Sequence, residues 1–154
     1  MRTSVFVLAL AVCALMPAVC FAQDAFVGTW KLNEAKSHLS PGAPKYSKVV
    51  FMTTSDGVKV TIDGSDRDGK PIHDEWVGRI DGKDYAVVGN PNEDFRSLTR
   101  IDEHTLGFNG KRGGTITTSG RVDMSADGKS RTVTTGGTNA QGKKFKSIAV
   151  YDKQ

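Results

Sequence analysis

The sequence predicts an all-β domain in which eight to ten antiparallel strands form an up-and-down meander that closes into a barrel. Two observations lead to this prediction. After residue 22, apolar and polar residues alternate with a period of two in many short segments, and no helical period persists for three turns. Glycine-containing turns separate these segments, and five of them contain Asp-Gly, which tolerates the positive φ angles of tight hairpins.

Ten strands are predicted, and nearly all connections after the second strand are of hairpin length. The predicted strands cover residues 26–32, 46–54, 58–63, 72–80, 85–89, 95–101, 105–109, 115–124, 131–138 and 144–152. The first connection, 33–45, is the exception: it contains two prolines and is predicted as a long loop with one helical turn. Because short connections join neighbouring antiparallel strands, the strand order in the sheet should follow the order in the chain.

Closure into a barrel is predicted from the number of strands. An open meander of ten strands would leave two exposed edges, and closing the sheet removes both. A sandwich would need longer connections that cross between sheets. Alternation also defines one buried face, because Val58, Val60 and Ile62 are separated by polar residues. A slip of one residue would turn those polar residues inward, so the register is well specified.

Residues 1–22 have the pattern of a secretory signal peptide. Arg2 precedes an apolar run over 5–16, and small residues precede a cleavage site after Ala22. Cleavage would leave one barrel domain, 23–154, that is exported to the periplasm or secreted and has no stable membrane insertion. An uncleaved anchor and a lipid-modified cysteine are the alternatives.

Removal of the signal peptide would change the cysteine content and the charge. Cys13 and Cys20 both precede the cleavage site, so the mature chain would have no disulfide, no thiol nucleophile and no Cys-based metal site. Loss of Arg2 would leave 20 basic residues against 17 acidic ones, a net charge of +3. This charge is mild and interspersed, which argues against a nucleic-acid partner.

The predicted inward face is not uniformly apolar. Alternation places polar and aromatic residues on it together: Asp74, Trp76, Phe95, Ser97, Thr99, Thr118, Phe145, Ser147 and Tyr151. The alternation of strand 115–124 also places Ile116 on this face. A tightly filled core would avoid so many hydroxyl groups without partners. A barrel of eight to ten strands can instead enclose a cavity with room for water or a small ligand. This pattern is the strongest indication of function in the sequence.

Six residues are candidates for contacting a ligand in this cavity. Four are aromatic and suit an amphipathic or ring-bearing molecule, although ordinary core packing would also explain them: Trp76, Tyr85, Phe108 and Tyr151. Asp74 would orient the ligand, or else is a strand-end carboxylate bonded to a neighbouring amide. Arg131 would bring a charge suited to an anionic ligand if it points inward, and is a surface cation if it points outward.

No motif for catalysis, a metal or a cofactor is present. His38, His73 and His104 are scattered, without the spacing that brings metal ligands together. No Gly-x-Ser-x-Gly motif appears, and the glycine-rich turn 110–114 has no following helix that would make it a phosphate loop. No catalytic residue and no cofactor are therefore predicted.

The first strand opens with Gly28-Thr29-Trp30-Lys31-Leu32. A Gly-x-Trp at this point, followed by a meander, resembles the calycins, which comprise the lipocalins and the fatty-acid-binding proteins. In those families the Trp packs across one end of the barrel, so the resemblance implies a structural role for Trp30. The chain is also similar to a group of exported bacterial lipocalin-like proteins through segments 28–33, 125–134 and 150–154. That group has no established activity.

Two departures qualify the resemblance to fatty-acid-binding proteins. Those proteins hold the ligand carboxylate with an Arg-x-Tyr on the last strand, and here Tyr151 matches the Tyr but Ala149 replaces the Arg. The helical lid of those proteins cannot fit into the short, proline-containing connection 33–45. A fatty acid held in that manner is therefore not expected.

Three functions follow, in order of preference. The first is an extracytoplasmic lipocalin-like protein that binds a small apolar or amphipathic ligand in the barrel. The second is an envelope structural or protein-interaction barrel without a ligand, whose protein partner is unknown. The third is an enzyme with an acid–base mechanism inside the cavity, for which Asp74 is the leading candidate.

Overall fold

A computed structural model of the chain describes residues 24–66, 68–138 and 142–154. The predicted signal peptide, 1–22, lies outside the described residues. The strands are β1 (Gly28–Leu32), β2 (Lys45–Thr54), β3 (Gly57–Ser65), β4 (Pro71–Gly78), β5 (Tyr85–Val88), β6 (Phe95–Asp102), β7 (Thr105–Arg112), β8 (Thr115–Met124), β9 (Ser130–Thr138) and β10 (Lys144–Lys153). One 3-10 turn, Glu34–Lys36, lies in the first connection. The prediction of an all-β chain is confirmed.

The ten strands form a closed antiparallel barrel. Each strand pairs with the next in the chain, and β1 pairs with β10, so the sheet has no free edge. The closing seam aligns Trp30 with Lys153 and Leu32 with Tyr151. This is the up-and-down meander that the hairpin-sized connections predict, in a barrel of the lipocalin and fatty-acid-binding-protein type.

Tight turns at Asp-Gly pairs set the ends of several strands. Gly69 and Gly128 have φ angles of +80° and +67°, which glycine adopts without a steric cost. In each turn a carboxylate accepts backbone N–H groups: Asp66 Oδ1 accepts from Asp68 and Lys70, and Asp127 Oδ1 accepts from Lys129. Local turn chemistry therefore defines where β3 ends and β4 begins.

One strand end departs from simple alternation because of a β-bulge. Gly110 of β7 pairs with Thr118, whereas Lys111 pairs with Ile116, so Thr117 is an extra residue in β8. A bulge rotates the following side chains to the other face. Ile116 is therefore 53% exposed, and its predicted inward position is wrong.

The inward face predicted for β6 is also wrong. Phe95 is 43% exposed and Thr99 is exposed, whereas Arg96 and Leu98 line the interior. The reason is the pairing with β7, which aligns Leu98 with Phe108, a residue that also faces the interior. Ser97 is buried but does not line the interior.

One end of the barrel is filled by a packed apolar core, named here the Trp30 end. Phe26 and Trp30 are fully buried there, and the Trp30 Nε1–H donates to the Phe26 carbonyl at 3.0 Å. Leu106 and Met124 complete this core. The opposite end, named here the loop end, holds the β1–β2, β3–β4 and β5–β6 connections.

Strand pairing in the barrel is shortest at β5. This strand has four residues, and its register with each neighbour extends over two pairs: Glu75–Val88 and Trp76–Val87 on one side, Tyr85–Arg96 and Ala86–Phe95 on the other. Within the described residues, no helix is long and apolar enough to cross a membrane.

Candidate ligand-binding site

The barrel encloses a cavity of about 540 Å³ above the core of the Trp30 end. This volume is within the range of small-molecule sites, about 300–1,000 Å³. Apolar side chains from several strands form most of its wall, among them Leu32, Phe51, Val60, Leu98, Val122 and Val133. Residues of the connections at the loop end, such as Pro44 and Pro91, also line it, so the cavity extends to that end.

Three of the six predicted residues lie together on the cavity wall: Phe108, Arg131 and Tyr151. Arg131 and Tyr151 are cross-strand partners in β9 and β10. Tyr151 is buried, and its hydroxyl donates to the Tyr46 carbonyl at 2.9 Å. Burial raises the pKa of Tyr151 to about 12, although the nearby Arg131 charge acts in the opposite direction. Tyr151 is therefore a neutral, fixed wall residue.

Arg131 points inward, which settles the two alternatives left open by the sequence. It is 3% exposed and lies on the cavity floor, with its guanidinium carbon 4.8 Å from the Trp30 ring centroid and 5.2 Å from that of Tyr151. Burial lowers the pKa of Arg131 to about 10, so the side chain remains a cation at neutral pH. Rings at these distances stabilise a cation through their quadrupoles.

Asp74 is fully buried, but it does not line the cavity. Its carboxylate accepts from Asn90 Nδ2 at 2.8 Å and lies 3.2 Å from Arg96 Nη2. Arg96 also donates to Glu93, with Nη2 and Nε at 2.7 and 2.9 Å from Oε2. Two buried carboxylates thus share one guanidinium.

The charges of this cluster affect their neighbours. Burial acts to lower the pKa of Arg96, but the charges of Glu93 and Asp74 outweigh it and raise that pKa above its usual range. Burial, reinforced by the charge of Glu93, raises the pKa of the Tyr46 hydroxyl well above its usual value. Arg96 is therefore a permanent cation, and the cluster carries a net negative charge when both carboxylates are ionised.

Trp76 and Tyr85 pack against each other outside the cavity lining. Their ring centroids are 5.8 Å apart in an edge-to-face arrangement, and Trp76 Nε1 donates to the Arg96 carbonyl at 2.8 Å. Gly78 makes this contact possible, because a Cβ there would lie 2.6 Å from the Tyr85 ring. The Tyr85 hydroxyl donates to Asp81 Oδ2 at 2.9 Å. The pair supports the wall that carries Arg96.

Sequence reasoning missed Glu93, Arg96 and Tyr46, which all line the cavity. Arg96 was missed because the alternation in β6 was assigned to the wrong face. Tyr46 lies beyond a register shift between Tyr46 and Lys48, which simple alternation does not anticipate. The short turn between β6 and β7 gives no signal for Arg96, because counting back from it would align Thr99 with Phe108. A register shift between Arg100 and Asp102 aligns Leu98 with Phe108 instead.

The described residues contain no group of three His, Cys, Asp or Glu side chains placed to hold a metal ion. The cavity combines an apolar wall, a cation on the floor, a charged cluster in the wall and charged residues at the loop end, among them Asp66 and Arg112. Together, the fold and this cavity define a closed ten-stranded β-barrel with a partly polar interior.

Comparison with known proteins adds no family: the chain matches no protein-family model, and no curated protein is significantly similar to it. Segments 28–33, 125–134 and 150–154 meet at the Trp30 end. The backbone N–H of Lys153 donates to the Lys129 carbonyl at 2.8 Å, and that of Gln154 donates to the Thr29 carbonyl at 2.9 Å. The pairing of these segments closes the barrel.

Proposed function

We propose that this protein is an extracytoplasmic, non-enzymatic binder of a small amphipathic molecule, which it holds inside the barrel. The observation that carries the proposal is the cavity of about 540 Å³, in which apolar side chains surround a few polar groups. Such a composition suits a ligand with a large apolar surface and one polar end. A filled interior would have favoured a structural role instead.

The absence of enzymatic activity is part of the proposal. Asp74 is the leading acid–base candidate in the sequence, and its carboxylate accepts from Asn90 and Arg96 behind the cavity wall. A general base must reach the proton that it removes. This placement of Asp74 supports binding over catalysis.

Export and membership of the lipocalin-like group rest on the sequence. The apolar run and small residues of 1–22 support removal of a signal peptide, and segments 28–33, 125–134 and 150–154 support the family. Sequencing the N-terminus of the protein isolated from its own host tests the first point. A mature chain that begins at Gln23 and fractionates outside the cytoplasm is expected, and an intact N-terminus in the cytoplasm would refute export.

Ligand binding is tested with an uncharged fluorescent probe, N-phenyl-1-naphthylamine, and with a panel of amphipathic competitors. We expect saturable fluorescence enhancement with one site per chain. Ala149→Phe places a ring in the cavity, since Ala149 is a buried wall residue, and should abolish the response. The matched control is Ala86→Phe on the exposed outer face of β5, which should bind as the wild type does.

Two results would contradict the proposal. One is the absence of saturable binding by any member of the panel. The other is equal binding by the two phenylalanine variants, because the probe would then occupy a surface outside the cavity. Native mass spectrometry of the protein from its host identifies the natural ligand as a mass that co-purifies with the wild type and is missing from Ala149→Phe.

Protein interaction is a second candidate, favoured by an apolar patch on the outer face. Val77, Val88 and Phe95 are exposed, and Phe95 is paired with Ala86 across the neighbouring strands. Large exposed apolar patches mark interaction surfaces. A defined protein that is recovered from an envelope extract by the wild type and is lost with Phe95→Lys would support this function, whereas equal recovery would count against it.

A further inference from the structure

The cavity floor holds a cation, Arg131, with one buried donor that no described residue accepts from. Arg131 lines the cavity and is 3% exposed, and its Nε is buried without a hydrogen-bond partner among the described residues. A guanidinium presents five N–H donors, and buried donors in folded proteins are nearly always paired. Arg131 is therefore an exception that requires an explanation.

The groups around Arg131 stabilise its charge without accepting its protons. The rings of Trp30 and Tyr151 lie 4.8 and 5.2 Å from the guanidinium carbon. The Tyr151 hydroxyl is directed to the Tyr46 carbonyl. Lys153 Nζ lies 5.2 Å from the centroid of the same Trp30 ring, so a second cation adds positive charge to this end.

No described carboxylate neutralises this floor. Asp74 and Glu93 are both engaged by Arg96 in the wall. Burial is the main influence on the pKa of Arg131 and lowers it, and Tyr151 acts in the opposite direction. A buried cation without a counter-charge is costly, and a ligand that supplied an acceptor would remove that cost.

We propose that the ligand is an organic acid with an apolar body, bound with its anionic group on the floor against Arg131 and its apolar body directed toward the loop end. The planar fork of a guanidinium fits a carboxylate, which can accept two parallel N–H bonds. Arg96 in the wall is already shared by two carboxylates, and Arg112, which lines the cavity at the loop end, is exposed and donates to the Pro91 carbonyl. Arg131 is therefore the buried cation that is open to an anionic group. This inference rests on the proposed binding function and specifies its ligand class.

The test compares dodecanoate with dodecanol, which have the same chain length and differ in charge. Each displaces N-phenyl-1-naphthylamine from the wild-type protein at pH 7.5. A charge-assisted hydrogen bond predicts that dodecanoate binds on the order of 10- to 100-fold more tightly than dodecanol. Arg131→Met should reduce this ratio to less than about threefold while dodecanol affinity is retained.

Two further variants keep the test independent of folding defects. Arg131→Lys preserves the charge and loses the planar fork, so an intermediate ratio is expected. Arg121→Met removes an exposed arginine that pairs with Asp123 on the outside, and it should keep the wild-type ratio. If Arg131→Met does not fold, the wild-type ratio and Arg131→Lys still decide the question.

The two proposals fail in different ways. Absence of probe binding, or binding that Ala149→Phe does not affect, refutes the cavity as a ligand site. Tight cavity binding with equal affinity for dodecanoate and dodecanol leaves the binding function intact and overturns the acid site. Retention of the full preference for dodecanoate in Arg131→Met also overturns it, because the anion would then be held elsewhere.

Discussion

Arg96 Nη2 lies 2.7 Å from Glu93 Oε2, and these two buried residues are only three positions apart in the chain. Glu93 comes from the connection before β6, and Arg96 is the second residue of that strand. The same guanidinium reaches Asp74 on β4, across the short strand β5. One arginine therefore connects three segments of the wall that share few backbone hydrogen bonds.

Arg96→Met should destabilise the fold strongly. The substitution leaves two buried carboxylates without their cation, and breaking a buried ion pair from one side costs about 3–5 kcal/mol. Chemical denaturation at pH 7 measures the loss. Arg121→Met is the exposed control, with a change within about 0.5 kcal/mol. Equal stability of the two variants would show that the cluster contributes little.

Gly110→Ala should disturb the cluster of Asp74, Glu93 and Arg96 through Glu93. A Cβ at Gly110 would overlap the Glu93 carboxylate, so Glu93 must move away from Arg96. We expect a loss of about 1–3 kcal/mol, and of less than about 0.5 kcal/mol when Glu93 is already alanine. The control is Gly136→Ala in β9, whose Cβ would have only an ordinary contact at 3.7 Å. Additive effects of Gly110→Ala and Glu93→Ala would contradict the overlap.

Arg131→Met should stabilise the empty protein against heat. It removes a buried charge with an unpaired donor and replaces it with an apolar side chain of similar length. Replacement of buried ionic groups by apolar ones is often neutral or stabilising by about 1–4 kcal/mol. Calorimetry of delipidated protein measures the Tm. A large fall in Tm would mean that the contact of Arg131 with Trp30 is mainly structural.

His73 should titrate above its ordinary pKa of about 6.5. The cause is its hydrogen bond to Asp63, in which Nδ1 and Oδ1 are 2.6 Å apart; Glu75 lies 3.8 Å from Nε2 and acts in the same direction. Because the folded pKa is raised, the stabilising contribution is complete below pH 6.5 and is lost as the pH rises through the folded value. NMR titration of the imidazole should give a lower midpoint in Asp63→Asn and an unchanged one in the remote control Asp56→Asn.

Most of the backbone architecture could be predicted from the sequence, because local chemistry determines it. Four of the five Asp-Gly pairs lie at strand ends or in the connections, and alternation marks the strands, so the ten predicted segments overlap the ten observed strands; β8 has the predicted bounds. The turn predicted at Asp63-Gly64 is wrong, because both residues are paired inside β3. Closure also followed from a general argument, since consecutive pairing leaves only β1 and β10 to join. These features depend on neighbours in the chain.

The cavity wall was less predictable because it depends on register between strands. Thr117 is an extra residue in β8 and turns Ile116 outward, although the local pattern gives no sign of it. The orientation of β6, and with it Arg96, is fixed by the alignment of Leu98 with Phe108. The sequence could not decide whether Arg131 points into or out of the barrel. Its inward direction is seen only from its pairing with Tyr151 and its contact with the Trp30 ring. Cross-strand geometry decides the positions of the polar groups.

Because β5 has only four residues, the extent of strand pairing differs around the barrel. The first and last strands, β1 and β10, are paired with each other. Two side-chain hydrogen bonds add to this pairing: Asn33 binds Asp152 at 2.7 Å, and the Ser37 hydroxyl accepts from the Val150 N–H at 2.9 Å. By contrast, β5 has only two aligned pairs with each of its neighbours, β4 and β6. Amide protons of β5 should consequently exchange with solvent before those of the terminal strands. The barrel would then begin to unfold at β5, in the middle of the chain, while β1 and β10 are still paired.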